Sequence, residues 1–125
     1  MIQIRIPFKT PTINHLYGQH GVRKYLKPEA KELRKQITEE CQHILSKDLE
    51  GIWDKILSVH VEIYEDWYCK NKTVKRKDVS NREKFLIDSV FDAIGIDDKM
   101  IFKHTMEKIQ VVNEEYAIVT IEEYK

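Results

Sequence analysis

Apolar and polar residues alternate at several places along the chain, and elsewhere they recur at helical spacing. Ile2, Ile4 and Ile6 alternate with Gln3 and Arg5, the period of a half-buried strand. Pro7 and Pro11 break that pattern, and residues 7–28 read as a loop. Pro28 suits a helix start. Behind it Ala30, Leu33, Ile37, Cys41, Ile44 and Leu45 mark one face of an amphipathic helix over about 29–47, with Asp48–Gly51 as its end and a turn. Leu57, Val59, Val61 and Ile63 alternate with Ser58, His60, Glu62 and Tyr64, the clearest strand in the sequence. Phe85, Leu86, Ile87, Val90, Phe91 and Ile94 predict a second helix over about 81–94, capped by Ser80 or Asn81 and stopped by Gly95. Residues 101–112 and 115–123 read as a final strand pair, joined near Asn113-Glu114. The expected order is β-α-β-α-β-β: an α+β fold with a small mixed sheet and two helices on one face, forming one domain over 1–125.

Composition narrows the function classes. Of the 125 residues, 42% are hydrophobic and 34% charged, which excludes a disordered chain. The longest apolar stretch is far short of the roughly 18 residues of a membrane-spanning helix, and the opening MIQIRIPFKT, with no basic-then-apolar leader, leads us to expect no secretion signal. Cys41 and Cys69 are too few for a disulfide framework and lack metal-finger spacing, so a cytoplasmic setting is the default expectation.

The 21 basic and 21 acidic residues cancel overall but not locally. Lys70–Lys84 holds seven cations (Lys70, Lys72, Lys75, Arg76, Lys77, Arg82, Lys84) against Asp78 and Glu83, a net charge of +5, so the remainder carries −5. Such a run suits a phosphate backbone; it equally suits a solvated loop. Asp78 ends the basic loop before the second helix, while Asp97 and Asp98 follow that helix. If the chain turns back after Gly95, these carboxylates meet beside the cations, a donor set suited to Mg²⁺ and to phosphodiester hydrolysis. The alternative makes Asp78 a helix cap and Asp97-Asp98 a solvated turn. Lys84, Asp88 and Asp92 share a helix face, either as a surface ion-pair ladder or with Lys84 facing a scissile phosphate. No phosphate-cradling glycine motif, no nucleophile elbow and no paired-histidine metal motif occurs, so no organic cofactor is expected.

Arg76-Lys77-Asp78-Val79-Ser80-Asn81-Arg82-Glu83-Lys84, then Asp88, then Gly95-Ile96-Asp97-Asp98, resembles the RusA family of Holliday junction resolvases. That family's pattern is close to D-x-D-N-x-x-K-x-x-x-D-A followed by a D-D pair. Pro11-Thr12-Ile13-Asn14-His15-Leu16-Tyr17 resembles its Pro-rich N-terminal segment, and Tyr25–Ala30 the start of its first helix.

The resemblance implies a homodimer that cuts four-way DNA junctions with Mg²⁺ or Mn²⁺, each subunit nicking one strand, in nucleoid-associated work inside the cell. It implies metal-binding roles for Asp78 and Asp98, with Asp97 beside Asp98, a catalytic-site role for Lys84, and the motif position for Asn81. It implies DNA contacts from Asn14, Tyr17, Lys72, Lys75, Arg76, Lys77, Arg82 and Lys84. The family's second Asp falls on Ser80, whose hydroxyl is a weaker ligand than a carboxylate. Ser80 or a water serves instead, a nearby acid such as Asp97 or Asp88 substitutes, or the chain is a weakened or inactive junction-binding protein.

Overall fold

The structure, a computed structural model, describes residues 1–10, 17–20, 23–75 and 80–125, without the side chains of residues 17–20, 23, 24, 80 and 81. Strand β1 spans Ile2–Ile6, β2 Tyr17–His20, β3 Arg23–Leu26, β4 Leu57–Glu65, β5 Ile101–Gln110 and β6 Tyr116–Glu123. Helix α1 spans Pro28–Cys41, α2 Ser46–Ile52 and α3 Ser80–Ile94, and a 3₁₀ turn covers Asp98–Met100.

The main sheet has the order β1-β6-β4-β5. β6 is antiparallel to both β1 and β4, whereas β5 is parallel to β4, which α3 permits by carrying the chain back across the sheet. Three apolar rows cross the inner face: Ile2–Ile121–Val59, Ile4–Val119–Val61 and Ile6–Ala117–Ile63. All nine side chains are buried, together with Ala30, Ile37 and Cys41 of α1 and Phe85, Leu86, Val90 and Phe91 of α3. Each Val, Leu, Ile or Phe among them contributes about 1.5–3 kcal/mol through burial. Among the described residues the helices pack on this face, and the alternate residues of β4 (Ser58, His60, Glu62, Tyr64) lie on the other.

Three expectations are corrected. The segment read as a loop over 7–28 contains the β2–β3 hairpin, with Tyr17 opposite Leu26; its YGQH and RKYL strands lack the apolar alternation that reveals a half-buried strand. The first helix stops at Cys41, and residues 48–51, read as a turn, lie within α2. Leu49 and Ile52 pack that helix onto the core. Finally, β5 and β6 are not paired: β4 lies between them. The inner positions of β5 are His104, Met106 and Lys108, opposite Val59, Val61 and Ile63, and they suit a sheet edge. Those of β6 are Ala117, Val119 and Ile121, which suit its interior.

Gly95 sets the exit from α3. Its φ is +75°, and the amides of Gly95 and Ile96 both donate to the Phe91 carbonyl, at 3.0 and 3.3 Å. A Cβ there meets no atom within 4 Å, so Gly95→Ala pays only the left-handed backbone penalty, about 1–2 kcal/mol. Urea denaturation is expected to show that loss; an unchanged midpoint would contradict a need for glycine at this turn.

Candidate active site

The basic loop begins as a tight hairpin built on short-range bonds. The Asn71 Oδ1 accepts from the Thr73 amide at 3.1 Å and hydroxyl at 2.6 Å, and the Cys69 amide donates to the Thr73 carbonyl at 2.7 Å. The Lys75 amide donates to the Trp67 carbonyl at 2.8 Å, closing the base. Lys70 and Lys72 stand exposed at the tip and Lys75 is half-buried. Arg76, Lys77, Asp78 and Asn14 lie outside the described residues, as do the side chains of Tyr17, Ser80 and Asn81.

Arg82, expected among the DNA-facing cations, points inward instead. It is 2% exposed and forms a buried ion pair with Glu65, itself 1% exposed. Its guanidinium lies 5.4 Å from the centre of the Trp67 ring, and the Lys108 ammonium lies 4.8 Å from that centre. Trp67 is buried and donates from Nε1 to the Ile63 carbonyl at 3.2 Å. These contacts fix the first turn of α3 against the end of β4. Glu65 occupies an inward position of the β4 alternation, and an acid at such a position signals a buried partner.

After Gly95 the chain reverses. Asp97 caps the 3₁₀ turn, its Oδ1 accepting from the Lys99 amide at 3.0 Å. Asp98 then faces a shallow groove that it shares with Asp88, Asp92, Phe91, Ile96 and Arg34. The reversal thus returns Asp98 to the middle of α3, beside Asp88. The two members of the Asp97-Asp98 pair therefore differ: one holds the turn and the other faces the groove.

Electrostatics around Asp88 reflect this assembly. Burial pushes its carboxyl above the ordinary range, Lys84 draws it back, the negative charge of Asp98 pushes it up again, and Arg34 draws it down. Lys84 is exposed, one turn before Asp88 on the same helix face. Ser80 holds the first position of α3, one turn before Lys84 in the same register. Arg34, unmarked by the sequence reading, comes from α1: its Nη2 donates to the Asp88 carbonyl at 3.4 Å and lies 3.7 Å from the Asp92 carboxylate. Its place at i+4 from Ala30, beside the apolar face of α1, was the available signal.

A second set of ligand-type groups lies on the helix-free face. His60, Glu62 and Glu107 each bring one ligand atom within 4.8 Å of the others. Glu62 and Glu107 are paired across β4 and β5, and the Tyr64 hydroxyl donates to Glu62 at 3.1 Å. None of these residues was expected at the site. The H-x-E spacing that puts His60 and Glu62 on one strand face is common in surface strands.

Among the described residues, no helix is long and apolar enough to cross a membrane. A comparison with curated proteins finds no match. The family model for endodeoxyribonuclease RusA matches residues 7–122, spanning β4, β5 and all but the last residue of β6, with the basic hairpin, α3 and the Asp98 turn; β1 precedes the match. The chain therefore belongs to the RusA endodeoxyribonuclease family, whose members are nucleases that resolve Holliday junctions.

Proposed function

We propose that this protein is a metal-dependent, structure-selective endonuclease that resolves four-way DNA junctions by paired phosphodiester hydrolysis. The observation that carries the reading is the reversal at Gly95, which seats Asp98 beside Asp88 with Lys84 one turn away. The donor chemistry fits Mg²⁺ or Mn²⁺: among the described residues the groove offers the carboxylate oxygens of Asp88, Asp92 and Asp98. Asp98 and Asp78 are the proposed ligands, with Asp97 supporting Asp98 through the turn that it caps. A cation held by Asp78 and Asp98 would supply polarisation of the scissile phosphodiester and a more acidic attacking water.

The remaining tasks fall to the chain itself. The Lys84 ammonium offsets charge that develops on the phosphate oxygens in the transition state. Arg34 ties α1 to α3 and moderates the repulsion between Asp88 and Asp98. Lys70, Lys72 and Lys75 track the DNA backbone, with Arg76 and Lys77 continuing the run and Asn14 and Tyr17 contributing from the N-terminal segment. Arg82 is left out of this set because its charge is buried against Glu65. Two subunits supply two such sites, one for each strand, and residues 1–125 act as one nuclease domain in the cytoplasm, beside the nucleoid.

Incubation with a mobile four-way junction and Mg²⁺ is expected to yield symmetrical nicks that disappear in Asp78→Asn; cleavage that survives this change removes Asp78 from the mechanism. A second reading, junction binding with weak or absent cleavage, is favoured by Ser80 standing where the family pattern has an acid. Ser80→Asp separates the two. Faster cutting identifies Ser80 as a missing ligand, whereas robust wild-type cutting that Ser80→Asp does not improve rules out the second reading.

A further inference from the structure

The outer strand β5 is ten residues long and, among the described residues, pairs along its length with β4 alone. Edge strands are normally short, bulged away or covered, because their free amides and carbonyls attract another strand. Every residue from Phe102 to Lys108 is exposed, with Phe102 at 64% and Met106 at 43%. The strand's own sequence selects what pairs with it.

A twofold axis perpendicular to a sheet sets a strand antiparallel to its own copy, with one residue on the axis. Centred on Thr105, the register places Lys103 opposite the partner's Glu107 and Glu107 opposite the partner's Lys103, both on the helix-free face. The pairing is confined to the regular part of β5, because a bulge at Phe102 turns Ile101 inward, opposite Leu57 and against the core. Opposite charges directly across two strands are favourable, and like charges are not. A shift to His104 or Met106 as centre puts Thr105 or Ile109 opposite Lys103 and loses both ion pairs.

We infer that β5 is the subunit contact: two copies join edge to edge about Thr105, giving a continuous eight-stranded sheet with both helix layers on one side. This inference rests on the dimeric reading under Proposed function and names the surface that makes the dimer. It also accounts for a strand whose inward positions, His104 and Met106, complete no apolar row within one subunit.

The test uses the full chain in two independent ways. Lys103→Glu sets two like-charge pairs across the axis and is expected to weaken dimerisation about tenfold or more by sedimentation equilibrium. Adding Glu107→Lys to it restores opposite charges and the dimer. In a Cys69→Ser background, Thr105→Cys is expected to form a disulfide-linked dimer on mild oxidation, because Cα atoms paired across the axis lie about 4.5–5.5 Å apart, within disulfide reach. Val112→Cys, also exposed but beyond the paired segment, is expected to stay unlinked. A wild-type dimer that Lys103→Glu does not weaken and Thr105→Cys does not link overturns this interface and leaves the dimeric reading standing. A wild-type monomer that still nicks junctions symmetrically overturns both.

Discussion

Asp98→Asn is expected to lower the rate of junction cleavage by at least about 10²-fold while leaving junction affinity within a few-fold of wild type. Loss of an outer-shell partner already costs roughly 10–100-fold in metal affinity or activity, and a direct ligand costs more. The amide keeps the size and hydrogen-bonding capacity of the side chain, so the groove with Asp88 and Arg34 persists. The proposed function assigns affinity to cations on the hairpin and on α3, not to this carboxylate. Asp97→Asn supplies the contrast. Asp97 spends its Oδ1 on the Lys99 amide, and an asparagine side-chain oxygen caps nearly as well, so cleavage is expected to fall far less. Single-turnover rates on a fixed junction at saturating Mg²⁺ measure both. Equal losses from the two substitutions would contradict the division of labour between these neighbours.

The buried pair Glu65–Arg82 underlies the second large effect. Arg82→Met removes the guanidinium that pairs with the Glu65 carboxylate, which is 1% exposed, and breaking a buried pair in this way costs about 3–5 kcal/mol. Against a total stability of about 5–15 kcal/mol, that loss is large enough to lower the melting temperature by roughly 10 °C or more. The double variant Glu65→Leu/Arg82→Met removes both charges and is expected to recover most of the loss, since well-packed apolar replacements of buried pairs are close to neutral. Its junction affinity is expected to match wild type. If Arg82→Met instead melted like wild type and lost DNA affinity, the arginine would belong on the surface with Lys72 and Lys75.

Much of the fold was readable from periodicity. β1, β4 and α3 fall within a residue or so of the spans expected from alternating and helical spacing. The one pairing expected, β5 with β6, was wrong, because period two identifies a strand but not its neighbours. The inward residues nevertheless held that information, since Ala117, Val119 and Ile121 suit an interior strand while His104, Met106 and Lys108 do not. The β2–β3 hairpin escaped notice because its strands bury no regular face. At the site, the spacing of Lys84 and Asp88 was legible as a helix face. The approach of Asp98 depended on a single backbone angle at Gly95, which sequence suggests only as a helix stop. Arg82 was misplaced because charge along the chain does not distinguish a solvated arginine from one answered by an acid on another strand.

The position of β6 has a consequence for how the molecule comes into being. Ile2 finds its neighbour at Ile121, so β1 cannot complete its pairing until β6 has been made. Until then β4 lacks its inner companion, and the layer beneath α3 stays open to water. Pairings this distant in sequence form late and slowly. The carboxylate groove thus rests on a sheet that closes only when its most distant strands meet.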